Sequence, residues 1–297
     1  MNLGERLGRL SDAFTQRWVR FTGKRIDLRE APWLDAPVGS EGGIPPTFID
    51  DLARSEKLSP HRAPDIGLLP DFDVLASPSF DAAAADPGVV EFYARTSRYE
   101  LDSWAEWCGA FRPFGAALAL IFSRRLQQLN VPLSGLDTSR GVTSEVVHLA
   151  DPKTGAVRFA VWLRRLVHTG NVLYAGCYSV ARVPGYAGLC VRVVFPLPNG
   201  NAMVFMRPEL RADGSVVVVS SGDRLGDPGF YFTVRAGPHH VWVKYLRSLR
   251  ESIRVYPAEP GTVRADHGLT LWRLRVLDLH YRLRAATGSL ASHGHPV

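Results

Sequence analysis

Between Gly141 and Val234 the sequence alternates short apolar runs with tight turn signals. Asn199-Gly200 and Asp213-Gly214 are the sharpest, with looser turns at Asp151–Gly155, Thr169–Asn171 and Gly226–Gly229. A type I′ turn needs positive φ at both central residues, which Asn-Gly and Asp-Gly tolerate, so the flanking runs are brought back antiparallel. The runs are Thr143–Leu149, Val157–Leu166, Val172–Val183, Leu189–Leu197, Met203–Leu210, Val216–Ser220 and Phe230–Val234. Connections this short pair sequential neighbours and predict an antiparallel meander of about seven or more strands within residues 142–256.

Several of these runs are apolar in both phases: Phe159, Val161 and Leu163 alternate with Ala160 and Trp162, and Val216 to Val219 hold no polar residue. A sheet with one wet face alternates apolar with polar, so both faces here must be covered. Helical spacing upstream suggests the cover. Val89, Phe92, Tyr93, Thr96 and Tyr99, extended by Trp104, Trp107 and Phe111, predict one central helix. Pro113 opens a second, with Phe114, Leu118, Ile121, Phe122, Leu126 and Leu129 as its stripe and Asn130 near its end. The fold class is α+β: an antiparallel meander packed by two central helices within 88–130, preceded by an irregular arm. In outline this resembles the helix-grip and lipocalin-like scaffolds that enclose apolar ligands.

Residues 1–87 are different in kind. Leu3, Leu7, Leu10, Phe14 and Trp18 form the stripe of a basic amphipathic helix whose other side carries Arg6, Arg9, Arg17 and Arg20. Such a helix attaches to an anionic membrane surface or a partner groove, or packs its stripe on the body of its own protein. Glu5 and Asp12 interrupt the positive side and favour packing. Nine prolines from Pro32 to Pro87 leave room for a helix only at Thr47–Leu58, with Thr47 as its cap, and the rest reads as an extended arm lying along a surface. Residues 88–287 are read as one domain and 288–297 as a flexible tail.

The segment "RADHGLTLWRLRVLDLHYRL" (264–283) supports two readings. As a helix it aligns Leu269, Trp272, Val276, Leu279 and Leu283. As a hairpin it pairs Leu271 with Leu277, Leu269 with Leu279 and His267 with Tyr281, around a "WRLRV" loop without Gly, Pro, Asn or Asp. Turn chemistry tips the balance to the helix.

Composition narrows function without assigning it. Apolar residues at 46% and charged at 22% are ordinary for a folded domain. The 35 basic residues against 29 acidic are interleaved along the chain, with no basic stripe, which argues against nucleic-acid binding. Cys108, Cys177 and Cys190 form no CxxC pair, there is no secretory leader pattern, and a reduced, cytoplasmic setting is expected. Neither a metal nor a cofactor is expected, because no nucleotide loop, nucleophile elbow or metal-ligand spacing occurs. The candidates that remain are modest. Asp266 and His267 are an acid–base pair by type, and would be the catalytic residues of an enzyme without cofactor acting on a hydroxylated or anionic substrate. Arg140, in the "LDTSRG" turn, offers a guanidinium to an anion, and Trp162, Tyr174, Tyr178, Tyr231 and Tyr281 are candidate pocket aromatics. The expected function is binding of a lipid-like or other apolar small molecule between sheet and helices; partner or membrane docking through the N-terminal helix is the non-catalytic alternative.

Overall fold

The structure, a computed structural model, describes residues 3–39, 44–45, 47–109, 142–167, 170 and 172–286, with side chains from residue 13. The strands in chain order are β1 (Lys24–Asp27), β2 (Ser59–His61), β3 (Tyr99–Trp107), β4 (Val142–Ala150), β5 (Val157–Leu166), β6 (Val172–Ala181) and β7 (Cys190–Leu197). They continue as β8 (Gly200–Leu210), β9 (Val216–Ser220), β10 (Gly229–Arg235), β11 (His240–Leu246), β12 (Leu249–Pro257), β13 (Thr262–Leu271) and β14 (Leu274–Ala285). Every ladder between them is antiparallel.

The sheet branches, so it is not a simple meander. Neighbours pair in sequence from β4 to β9, but β10 returns to the first half of β8 (Phe230 opposite Val204) and leads to β11 and β1. The second half of β8 pairs with β9 (Glu209 opposite Val217), and the path runs on through β12, β13 and β14 to β3. The ends of that ten-strand path, β4 and β3, approach within 8 Å at Cα without hydrogen bonding, so the sheet curls into an open barrel.

The predicted helix through Phe111 stops early. α3 is Pro87–Ala94, with Asp86 accepting from Gly88 and Val89 N–H. Residues 99–107 are a strand, because Tyr99, Leu101, Ser103, Ala105 and Trp107 share one face while Glu100, Asp102, Trp104 and Glu106 share the other. β14 supplies the deciding backbone partners, Leu283 opposite Leu101 and Leu277 opposite Trp107. Aromatic spacing had satisfied the helical period as well. The second expected helix, 113–130, and the tail, 288–297, lie outside the described residues.

Cover for the two apolar faces comes from the N-terminal third. On the outer face of β4–β8, residues 28–53 pack Leu28, Leu34, Phe48, Ile49 and Leu52 on Val161, Leu163, Cys177, Met203 and Phe205. Three of those come from α2 (Phe48–Glu56), which begins after Thr47 and ends at a left-handed Lys57. Arg192 pins this layer: its guanidinium donates to the Trp33 and Asp35 carbonyls and to Ser179 Oγ, and burial pushes its pKa down to about 10. On the inner face, Ile66, Leu68, Phe72, Leu75, Phe80, Val89 and Phe92 fill one end of the barrel against Val191, Val204, Val216, Val255 and Val263. The proline-rich segment is therefore core filling rather than a surface strap. His148 Nε2 donates to the Gly67 carbonyl at 2.7 Å and joins β4 to it. Gly67 has no room for a side chain, since a Cβ would lie 2.2 Å from the Tyr93 carbonyl oxygen.

The C-terminal segment 264–283 is a hairpin and not a helix. Leu271 pairs with Leu274 around a two-residue loop, Trp272 and Arg273, with φ of 48° and 68°. A bulge after Leu269 then sets Leu269 opposite Leu277, His267 opposite Leu279 and Ala265 opposite Tyr281. This register is two residues from the hairpin read in the sequence, so the same side chains stay inside. The turn residues are unfavourable for positive φ; the ladders to β12 and β3 on either side hold them there.

Two outcomes test this architecture. Leu75→Ala, at a side chain with 0% exposure, is expected to cost about 2–5 kcal/mol in urea unfolding, as for a core leucine rather than a surface strap. Replacing the loop by Trp272→Asn with Arg273→Gly should stabilise the fold by about 1 kcal/mol or more, seen as a raised Tm.

Candidate binding site at the polar end of the barrel

The apolar filling gives way to polar groups at the other end of the interior. Alternation along β5 puts Ala160, Trp162 and Arg164 on the inner face, with Ser144 of β4 opposite Arg164 and Tyr174 of β6 on its other side. Arg164 is only 9% exposed, with its guanidinium carbon 3.6 Å from the Trp162 ring centre, 4.9 Å from Tyr174 and 5.4 Å from Tyr281. Trp162 Nε1 donates to Ser144 Oγ at 2.8 Å, and Ser144 is exposed, so this end reaches solvent.

Gly176 lets the cage close. It lies opposite Trp162 on β6, and a Cβ there would stand 2.6 Å from the Tyr174 hydroxyl. The Tyr174 ring folds over that space and shares a 2.6 Å hydrogen bond with the Tyr178 hydroxyl. Burial pushes Tyr178 up to about 12 and Tyr174 well above the ordinary phenol value. All three cage tyrosines are therefore neutral near pH 7; Tyr281 is raised by burial too, against the opposing pull of the Arg164 charge and of a hydrogen bond from Arg164.

Arg164 is the feature that stands out electrostatically. Its Nε is buried without a hydrogen-bond partner, and among the described residues no carboxylate lies within salt-bridge distance. Arg192, equally buried, hydrogen-bonds three partners through Nε and Nη1. The aromatic faces stabilise the Arg164 charge in part, each by about 0.5–2 kcal/mol. That leaves one planar donor edge, in a low-dielectric setting, without an anion.

The opposite wall brings a carboxylate–imidazole pair. His267 Nε2 lies 2.9 Å from Glu251 Oε2, both side chains largely buried on the inner face of β13 and β12. Tyr281 and Tyr178 each feel both the Arg164 and the Glu251 charges.

The site residues expected from the sequence divide clearly. Trp162, Tyr174, Tyr178 and Tyr281 are brought together, with His267 on the adjoining wall. Tyr231 is not among them: it faces the outer layer, edge-on to Trp33 and Phe205, where its hydroxyl bonds to Gly226 N–H and the Asp227 carbonyl. Asp266 and His267 do not meet, because successive strand residues point to opposite faces. Asp266 pairs instead with His280 Nδ1 at 2.7 Å on the outer face, where His280 stacks on Trp104. Arg140 lies outside the described residues. Sequence reading missed Arg164, Glu251 and Ser144; the signal for Arg164 was an arginine in the same strand phase as Ala160 and Trp162.

Among the described residues, no group of three or more His, Cys, Asp or Glu is placed to hold a metal, and Cys108, Cys177 and Cys190 are free thiols. No helix of the described residues is long and apolar enough to cross a membrane. Comparison with protein-family models, with curated proteins and with solved structures finds no match for this chain.

Proposed function

We propose that the protein binds a small molecule with an apolar body and a compact anionic group, carboxylate being the best fit, at the polar end of the barrel interior. The observation that carries this reading is Arg164: a buried guanidinium with an unpartnered Nε, held in place by Trp162, Tyr174 and Tyr281. A planar fork of donors matches a carboxylate, and a charge-assisted bond there is stronger than one between neutral groups. The tyrosine hydroxyls and Ser144 supply further donors, while the rings offer apolar contact. A wholly apolar ligand would leave the Arg164 Nε unpartnered and its charge without an anion, and segment 66–92 already fills the apolar end. The lipid-like guest suggested by the sequence is thus narrowed to one with a charged end.

A second reading, catalysis without a cofactor on such a molecule, is favoured by the His267–Glu251 pair. A carboxylate that orients an imidazole makes it a positioned proton acceptor. Glu251, not Asp266, is the orienting group.

Decanoate and decanol separate charge recognition from apolar uptake. The proposal expects titration calorimetry to show decanoate bound at least about tenfold more tightly than decanol, from one bond to a charged group. Arg164→Met should erase that preference while leaving Tm unchanged or raised, since removing a buried, poorly paired charge is seldom costly. Equal binding of both probes, or a fall of several degrees in the variant's Tm with decanoate binding intact, would make Arg164 structural and defeat the reading. His267→Ala tests the second reading: unchanged uptake with loss of turnover on a co-purified native ligand supports catalysis, and unchanged turnover refutes it.

A further inference from the structure

The C-terminal half of the N-terminal helix leaves two phenylalanines exposed. α1 (Leu3–Thr22) docks on β10 and β11 through Val19, which has 0% exposure, and through Trp18, edge-on to Phe232. Lys244 lies over the Trp18 ring and donates to the Thr22 carbonyl, while Gln16 Nε2 donates to the Pro198 carbonyl. Gly23 brings the helix end against β11, where a Cβ would meet the Val19 and Val243 carbonyl oxygens at 2.4 and 2.6 Å. The rotation of the helix is therefore fixed by several contacts. In this orientation Phe14 is 69% and Phe21 is 93% exposed, and the two border a shallow apolar depression with Arg17, Trp18 and Arg20. Of the expected stripe, Trp18 packs on the body while Phe14 is turned away from it.

At 100° per residue, Phe14 and Phe21 fall on one side of the helix. Arg17 and Arg20 fall together along one flank of that side, while Val19 lies toward the docked side. Lys24 and Arg25, exposed in β1, add positive charge just beyond the helix. Exposed aromatic side chains bordered by arginines, on a helix not apolar enough to cross a membrane, are the pattern of a helix lying in an anionic lipid interface. The same chemistry fits poorly to a second copy of this chain, which would bring one arginine flank against another.

We propose that α1 attaches the protein peripherally to anionic membranes, with Phe14 and Phe21 buried at the level of the headgroups and the Arg17–Arg20 flank against lipid phosphates and carboxylates. This attachment is independent of the interior site and can fail or hold without it.

Flotation of the full chain with phosphatidylcholine vesicles, with and without phosphatidylglycerol, tests it. Binding should require the anionic lipid, weaken as salt rises, and fall about tenfold for each of Phe14→Ala and Phe21→Ala. Arg17→Gln and Arg20→Gln should each weaken it about fivefold. All four positions are exposed, so an unchanged Tm should accompany each loss. No flotation with anionic vesicles, equal flotation with neutral ones, or indifference to the phenylalanine substitutions overturns the proposal. Light scattering that shows a dimer abolished by Phe14→Ala would assign the exposed phenylalanines to a second copy and overturn it equally.

Discussion

A sheet whose strands are apolar in both phases cannot fold alone, and this constraint organises the whole chain. β5 carries Phe159, Val161 and Leu163 outward and Ala160 and Trp162 inward, so each face needs its own cover. Residues 28–53 supply the outer layer, and segment 66–92 with the curled strands β12–β14 and β3 supplies the inner one. Prolines suit this work because the covering segments need side chains in fixed places more than they need ladders. One consequence follows for dynamics. The covering segments around Leu34, Ile49, Phe72 and Val89 share both cores with the sheet, so they are expected to resist local opening.

Much of the sheet was legible because its turns carry their own chemistry. Asn199-Gly200 and Asp213-Gly214 mark the β7–β8 and β8–β9 connections within a residue or two. Where the turn is atypical, legibility failed. Trp272-Arg273 carries no turn signal, and only the ladders on both sides, invisible in a single sequence, impose its positive φ. The strand at Tyr99–Trp107 was lost for a related reason: its aromatics fit periods of both 2 and 3.6, and pairing with β14, far along the chain, decides between them. Branching at β8 is likewise a long-range fact, since β9 and β10 both pair with one strand.

The site was legible by residue type and illegible by arrangement. Four of the expected aromatics converge because they share the inward phase of β5, β6 and β14, whereas Tyr231 has the opposite phase on β10. His267 and Asp266 acquire partners from other strands, Glu251 and His280, rather than from each other. Arg164 and Arg192 show how burial alone misleads. Both sit in apolar strands, but one closes a layer with three hydrogen bonds and the other keeps an unpaired donor among aromatic rings. Arg264 and Arg282 carry a buried, unpartnered Nε as well, so what sets Arg164 apart is its 9% exposure inside the aromatic cage.

Thiol accessibility tests the two-sided burial most directly. Cys177 and Cys190 lie at 0% exposure in the outer layer beneath residues 28–53, and Cys108 is partly exposed at the end of β3. Mass-spectrometric thiol labelling under native conditions should modify Cys108 and leave Cys177 and Cys190 reacting only at the rate of global unfolding. Labelling of Cys177 and Cys190 as fast as in the denatured chain, while the native circular-dichroism spectrum persists, would contradict the account: the outer face would then be uncovered, and the N-terminal layer would not be part of the core.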